Sequence, residues 1–504
     1  MATSAPPSQY AGWSREQLIE RLISLEPQSS TSSTSTPKAV APLLEHGADK
    51  PKTTRQFDFY QYPRRKIALK FCYVGSEYGG LAFQTDDTPL PTVEGVLFDA
   101  LARARLIDVD AGFEGCGWER CGRTDRGVSG AGQLVSLWVR SALPKEELEE
   151  SAEGPLTLPA PIPRGAEDAD AVPIPDGIER RVPQEQSKNE HDYVTMLNRM
   201  LPETIRIVAW SPVTSKFSAR FSCKWRHYKY FFSPQDLDAS RMQDGASRLV
   251  GEHDFRNLCK LDPAKQITSF KRNILNAYVE PYNGDLHVFN LVGSAFLYNQ
   301  VRHIMAVLFL VGTGLEPPSL VSTLLNASEG AEGSEYPVID RKPEYQMADG
   351  LPLVLWDCGY PEDSFAWRTH GRPPSVEYRD DGETQREMQS IVQRSHITAA
   401  LNEHFLKAVS KFHAPPQSVF PLENPEQLKE RKGPQQAIQV PLGGGTSKRV
   451  IKYQRVLDRK RLDPVEVANE RWRLGKGFRK SEKRRLAEEG DGEPLKNVAV
   501  GSAN

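Results

Sequence analysis

The segment "RCGRTDRGVSG", residues 120–130, holds a single acid, Asp125, among Arg120, Arg123 and Arg126 and the glycines Gly122, Gly127 and Gly130. Guanidinium neighbours favour the ionised form of a carboxylate and lower its pKa. Such a group is a poor proton abstractor but a standing negative charge, able to attack an electrophilic carbon or to stabilise a positive one. The glycines let a bulky ligand approach the backbone, and the arginines offer planar, multi-donor contacts to phosphate oxygens. The combination suits a nucleotide presented to an anionic nucleophile. It also suits a surface turn whose Asp caps the residues that follow and whose charges are merely solvated.

Two more segments carry chemistry. "FSARFSCKWRHYKYFF" (217–232) interleaves Arg220, Arg226 and Lys229 with Phe221, Trp225, Tyr228 and Tyr230. Proteins stack bases and hold backbone phosphates with that kind of alternation. On a strand Tyr228 and Tyr230 share one face and Lys229 takes the other, so both rings serve either a ligand or the core. "GSAFLYNQVRHIM" (293–305) sets Arg302 in an otherwise apolar helix. A buried guanidinium needs an anionic partner; Asp125 is the partner expected, with a local acid as the ordinary alternative.

The elements that must position these residues are legible from periodicity. Strands are expected at "RRKIALKFCYVG" (64–75), "GQLVSLWVRS" (132–141), "IRIVAWSPV", "RHYKYFF" and "GLPLVLWDCGY" (350–360). Helices are expected at 92–106 and at "HDYVTMLNRMLP" (191–202), stopped by Pro202, and a strand running into a strongly apolar helix over 287–314. Helices and strands alternate twice with hairpin-like connections, which favours an α+β fold with mixed or antiparallel sheets over a doubly wound parallel one.

Around this core the composition changes. Residues 12–26 have the spacing of a short amphipathic helix and "PQSSTSSTSTPK" reads as a linker, so 1–63 form an N-terminal extension. Residues 145–190 carry twelve acids against five bases, with seven prolines, and are expected to be a disordered acidic insertion. The expected division is therefore 64–232 with that insertion, 233–362, and a helical or disordered basic extension over 363–504. Within that extension 448–485 counts fifteen Lys/Arg against five Asp/Glu, a candidate polyanion contact or a solubilising or nuclear-targeting tail. The formal net charge of −2 over 504 residues hides this segregation. No apolar run reaches membrane-span length and no signal peptide opens the chain. Six cysteines without a C-x-x-C pair argue for a reducing compartment. Cys116 and Cys121 flank the turn, but no His or second cysteine pair completes a metal set, so no metal is expected.

Taken together, "CGRTDRGVSGAGQLVSL", "FSARFSCKWRHYKYFF" and "GSAFLYNQVRHIM" closely resemble the TruA-type tRNA pseudouridine synthases. "KIALKFCYVGSEYGG", "GEHDFRNLCK" and "MADGLPLVLWDCGYP" extend the resemblance, in family order, over roughly 64–361. "GEHDFRNLCK" and "SLWVRS" look most like the eukaryotic subclass that modifies positions 38 and 39 of the tRNA anticodon arm, with Arg126 where Lys is usual and Gly130 where Ala is common. The resemblance implies two ferredoxin-like α/β halves with joined sheets and a basic cleft. It also implies an isomerase without cofactor, acting on tRNA, as a homodimer, in nucleus and cytoplasm. Carried over, Asp125 matches the catalytic aspartate and Arg123 the arginine that helps hold the flipped nucleotide. Tyr228 matches the tyrosine that packs on uracil, and Arg302 the basic partner of the aspartate. A non-catalytic RNA-binding module using the same basic and aromatic surface is the rival reading. A two-carboxylate glycoside hydrolase is disfavoured, because no second acid accompanies a comparable motif.

Overall fold

The computed structural model describes residues 57–85, 88–144, 189–329, 335–372, 382–428 and 437–479. The helix expected over 12–26 and most of the acidic insertion lie outside these residues. From Asp58 onward the described residues belong to one compact unit, and no described helix is long and apolar enough to cross a membrane.

Nine strands make one mixed sheet: β1 (Arg64–Tyr73), β2 (Glu119–Arg120), β3 (Ser129–Arg140), β4 (Ile205–Pro212), β5 (Trp225–Phe232), β6 (Gly251–Asp254), β7 (Lys271–Asn283), β8 (Leu286–Gly293) and β9 (Leu353–Gly359). The order across the sheet is β4-β1-β3-β9-β5-β8-β7-β6, with β2 beside β3. Every pairing is antiparallel except β3 with β9, which pair in parallel only at Ser129–Val354 and Gly130–Leu355. That short seam joins two ladders with separate cores. Ile67, Leu69, Phe71 and Leu137 pack under the Val93–Arg103 helix on one side. Tyr230, Phe289, Leu291 and the Gln300–Gly312 helix form the larger core on the other. β5 belongs to the second ladder, between β8 and β9.

Local chemistry explains the elements that matter for the site. Thr92 starts the Val93–Arg103 helix by accepting the Gly95 N–H at 3.2 Å, a side-chain N-cap. The Gln300–Gly312 helix is apolar nearly all round, and all its residues but Arg302 are buried, as expected of a helix enclosed by protein. β1 alternates in sequence yet is buried on both faces, because Ile67, Leu69 and Phe71 face the core under the Val93–Arg103 helix while Ala68 packs with Leu134, Phe217 and Ala219 on the other face. Its cations are therefore paired: Arg65 reaches Glu190 at 3.0 Å and Lys66 reaches Glu119 at 3.7 Å.

Two boundaries differ from expectation. Glu190, placed at the end of a disordered insertion, is buried and accepts from Arg65, Ser141 Oγ (2.6 Å) and the Ala142 N–H (2.8 Å). The C-terminal extension also holds a β-hairpin, β10 (Ile438–Gly443) and β11 (Thr446–Val450), besides the exposed Glu383–Ser410 helix. Pro441 and three successive glycines hid that hairpin from periodicity.

Candidate active site

Asp125 stands on the turn that leads into β3, directly beside the seam. The Val128 N–H donates to the Asp125 carbonyl at 3.1 Å and closes the turn. Gly127 adopts φ +83°, a conformation in which a side chain would be strained. The buried Thr124 shares a 2.5 Å hydrogen bond with the Tyr73 hydroxyl, and its carbonyl accepts the Leu81 N–H at 3.2 Å. Gln133 donates to the Gly122 carbonyl at 3.0 Å. A Cβ on Gly130 would lie 2.5 Å from the Tyr73 ring, so only glycine lets β3 pass there. The turn is thus pinned from below, at both ends.

The direct partner of the carboxylate is Asn299, whose side-chain amide donates to Asp125 Oδ2. Asn299 immediately precedes the Gln300–Gly312 helix, where an Asn ordinarily caps the first N–H groups. Here it adopts φ 54°, ψ 18° and makes no cap, turning its amide to Asp125 instead. A left-handed backbone at a residue other than glycine costs on the order of 1 kcal/mol or more, and Asn tolerates it best.

Arg302 lies one helical turn further along, half-buried. Its Nε donates to the Ala348 carbonyl at 2.8 Å, and the Ala348 N–H returns a bond to the Arg302 carbonyl at 3.1 Å. Gly350 fits between them and the turn: a Cβ there would be 3.1 Å from the Arg126 carbonyl and 3.5 Å from Arg302 Cζ. No ion pair within 4 Å joins Arg302 to Asp125 among the described residues. Arg302 acts on the carboxylate through its charge.

The expected lowering of the Asp125 pKa is reversed. Burial pushes it above the ordinary carboxylate value, while the charge of Arg302, the Asn299 hydrogen bond, and the charges of Lys265 and Lys260 oppose that rise. The arginines of the motif do not supply the field that sequence suggests. Arg120 is bound at 2.5 Å to Glu94, a wholly buried carboxylate, and Arg123 and Arg126 are exposed to solvent.

Of the two tyrosines on β5, Tyr230 is a core residue: fully buried, it donates to the Asp349 carbonyl at 3.0 Å. Tyr228 is also buried, but its ring meets Phe296 edge-on at 5.0 Å, and its hydroxyl has no hydrogen-bond partner among the described residues. Burial raises its pKa and Cys358 adds to the rise, Arg226 opposes it, and the charges of Cys121 and Asp125 contribute the smaller remaining increments. The fold therefore gathers Asp125, Arg302 and Tyr228 from the turn, the helix and β5, and leaves Arg123 at the rim. Arg226, on the same strand, braces the turn by donating to the Cys121 carbonyl at 2.9 Å and the Ser294 carbonyl at 2.7 Å.

Asn299 was not foreseen. "YNQVRH" reads as a helix N-cap, and nothing local signals that the side chain turns away from the helix. The cysteines also regroup. Cys116 is buried with the Val93–Arg103 helix, its thiol on the Phe113 carbonyl at 3.3 Å. Cys121 instead meets Cys223 and Cys358.

Comparison with known proteins agrees with the sequence motifs. A family profile described as tRNA pseudouridine synthase matches residues 246–361. The chain is 35% identical over 480 residues to the tRNA pseudouridine(38/39) synthase of Saccharomyces cerevisiae, covering 93% of each protein. The Homo sapiens protein of the same name is 40% identical over 329 residues, 63% of this chain and 60% of its own length. The Mus musculus one is 37% identical over 358 residues, 68% and 64%. With near-complete mutual coverage of the yeast protein, the chain belongs to the TruA-type tRNA pseudouridine synthase family, a family of isomerases.

Proposed function

We propose that this protein isomerises uridine to pseudouridine at positions 38 and 39 of the tRNA anticodon arm, with Asp125 as its catalytic carboxylate. The observation that carries the reading is a single half-buried acid whose amide partner, Asn299, adopts a left-handed backbone and forgoes its helix cap. A binding module that only clamps phosphate has no use for a carboxylate withdrawn from water. The names of the yeast, human and mouse relatives supply the positions.

In this mechanism the target uridine leaves its stack, at a cost of a few kcal/mol, and Tyr228 recovers ~1–3 kcal/mol by packing on the base. Asp125 then attacks the anomeric carbon, or assists loss of the 2′ proton to a glycal, as the bond from N1 breaks and the base departs as an anion. After the base turns, C5 forms the new bond to the anomeric carbon, as the bond to Asp125 breaks and frees the carboxylate or, on the glycal route, as the 2′ carbon regains its proton. The C5 proton leaves to a water, and N1 gains a proton. Atoms and charge balance with no group donor, redox partner or cofactor. Arg302, Asn299, Lys265 and Lys260 oppose the rise that burial imposes on the Asp125 pKa and so favour its carboxylate form, and Arg123 holds the extruded nucleotide's phosphate at the rim. We read the two ladders as ferredoxin-like halves meeting at the β3–β9 seam around a basic cleft; β5, at the end of the 64–232 stretch, lies on the same side of that seam as 233–362. In this reading the enzyme works as a homodimer in nucleus and cytoplasm.

The test is Asp125→Asn, assayed on anticodon-arm tRNA by mapping pseudouridine at 38 and 39 and by equilibrium binding. Turnover falls to background while the dissociation constant changes by less than ~3-fold, since the neutral amide keeps the size of the carboxylate. Pseudouridine formed by that variant at more than a trace would overturn the assignment.

A further inference from the structure

Cys121, Cys223 and Cys358 come from three parts of the chain: the residue after β2, the loop before β5, and β9 itself. Their sulfurs all lie within 4.8 Å of one another, and those of Cys121 and Cys223 are 3.4 Å apart. All three are free thiols. Free cysteines disperse through cores as small apolar residues, so burial alone does not converge three of them on one point. The surrounding pocket is mostly apolar, built from Ala68, Leu134, Phe217 and Ala219; its polar groups are the Tyr360 hydroxyl, which donates to the Ala219 carbonyl at 2.6 Å, and the Trp225 carbonyl, which accepts the Cys223 thiol at 3.2 Å.

The second observation is an unbalanced charge. The Arg226 guanidinium donates only to carbonyls, those of Cys121, Ser294 and Arg220, and meets no carboxylate among the described residues. Its Nη2 is held on the Cys121 carbonyl at 2.9 Å, so the guanidinium lies beside the cysteine cluster. A partly buried cation without an anion is costly. Three thiolates around one divalent ion carry a net charge of −1, and the guanidinium would bring that assembly to neutrality.

Zinc fits the triangle. Tetrahedral zinc holds sulfur at about 2.3 Å, which sets sulfurs ~3.8 Å apart, inside the span that these three already occupy. We propose that Cys121, Cys223 and Cys358 form a zinc site with three thiolate ligands, its fourth position taken by a small exogenous ligand such as water. Binding releases the three thiol protons as the three bonds to sulfur form. The ion ties together the root of the Asp125 turn, the approach to the strand that carries Tyr228, and β9 at the seam. It is a positioning device that holds these elements without ligating the reacting groups, and it is independent of which uridine the enzyme modifies.

The experiment uses the full-length chain, purified under reducing conditions without a metal-chelating tag. Elemental analysis should find close to one zinc per chain. Replacement by cobalt(II) should give the intense sulfur-to-metal charge-transfer absorption of a thiolate-rich tetrahedral site. Cys358→Ser, folded by circular dichroism, should hold zinc at least ~10-fold more weakly. If that variant does not fold, the cobalt spectrum of the unaltered chain decides alone. Folded, reduced protein that takes up no zinc on reconstitution would overturn the proposal. So would stoichiometric copper(I) in place of zinc, or a Cys121–Cys223 disulfide in protein purified with reductant.

Discussion

At the scale of single residues, Asp125 is governed by a contest between burial and its polar neighbours. Burial raises its pKa, and Arg302, Asn299, Lys265 and Lys260 pull it back down. The active form in the proposed chemistry is the carboxylate, so the acid limb of the rate profile follows this group. Removing a donor that favours the charged form must raise the pKa further. Asn299→Ala should therefore move the acid limb of kcat to higher pH and, at neutral pH, lower kcat by ~10–100-fold, the worth of a hydrogen bond to a charged group. Single-turnover rates across a pH series check this. A uniform loss at every pH, with the limb unmoved, would show that Asn299 only shapes the loop. Tyr228 illustrates the complementary case. It is as buried as a core tyrosine, yet its unpartnered hydroxyl and the small increment it takes from the charge of Asp125 mark it as different from Tyr230, which shares its strand face.

At the scale of elements, six strands and the apolar helix were legible because their signal is local, whereas β7, the longest strand, and the short β2 and β6 were not anticipated. A period of two or of 3.6 reports which side chains face protein, and β3, β5, β8, β9 and the Gln300–Gly312 helix lie where the periods put them. The motif also put Asp125 and Arg302 on elements that the seam brings together. What escaped is whatever depends on distant partners. Neither the twist of Asn299 away from its helix nor the meeting of Cys121 with Cys223 and Cys358 leaves a local trace. The arginines mislead for the same reason: Arg120 looks like a phosphate ligand but belongs to Glu94. That carboxylate, fully buried in the Val93–Arg103 helix, accepts from Arg120 at 2.5 Å, from Trp118 Nε1 at 2.7 Å and from the Phe83 N–H at 2.9 Å. It fastens the helix to β2 and so to the turn. Glu94→Ala strands a guanidinium, an indole and a backbone donor together, and breaking a buried pair of this kind costs about 3–5 kcal/mol. Urea denaturation followed at constant m-value reads that loss directly. A shift below ~1 kcal/mol would mean that water replaces the carboxylate and the hub is dispensable.

At the scale of the whole molecule, the described part of the basic extension, as far as Arg479, is part of the fold and not an appended tail. Val456 is fully buried in the larger core, and the buried Glu316 accepts from the Tyr453 hydroxyl at 2.7 Å and from the Val456 N–H at 2.8 Å. The β10–β11 hairpin crosses the far side of the helix that carries Arg302, with the Asp349 N–H donating to the Leu442 carbonyl at 2.7 Å. Between hairpin and helix lies a cavity of about 480 Å³ whose wall includes Ala306, Leu310 and Val440. Its rim carries the cations Lys448, Arg449 and Lys452, all exposed. Deleting everything from Lys448 onward would cut β11 and empty the Val456 position, so it would test folding before it tested binding. Exchanging charge without length is the sharper experiment. If these three cations meet the phosphates of a bound tRNA, then replacing all three by Gln should weaken binding and lower the slope of log K against log salt by ~2–3, at ~0.7–0.9 for each phosphate no longer neutralised. The effect should be the same for any tRNA sequence, because ion pairing to phosphate carries no base information. A triple variant that folds normally and keeps its slope would assign the rim to solubility and confine the RNA footprint to the face around Asp125.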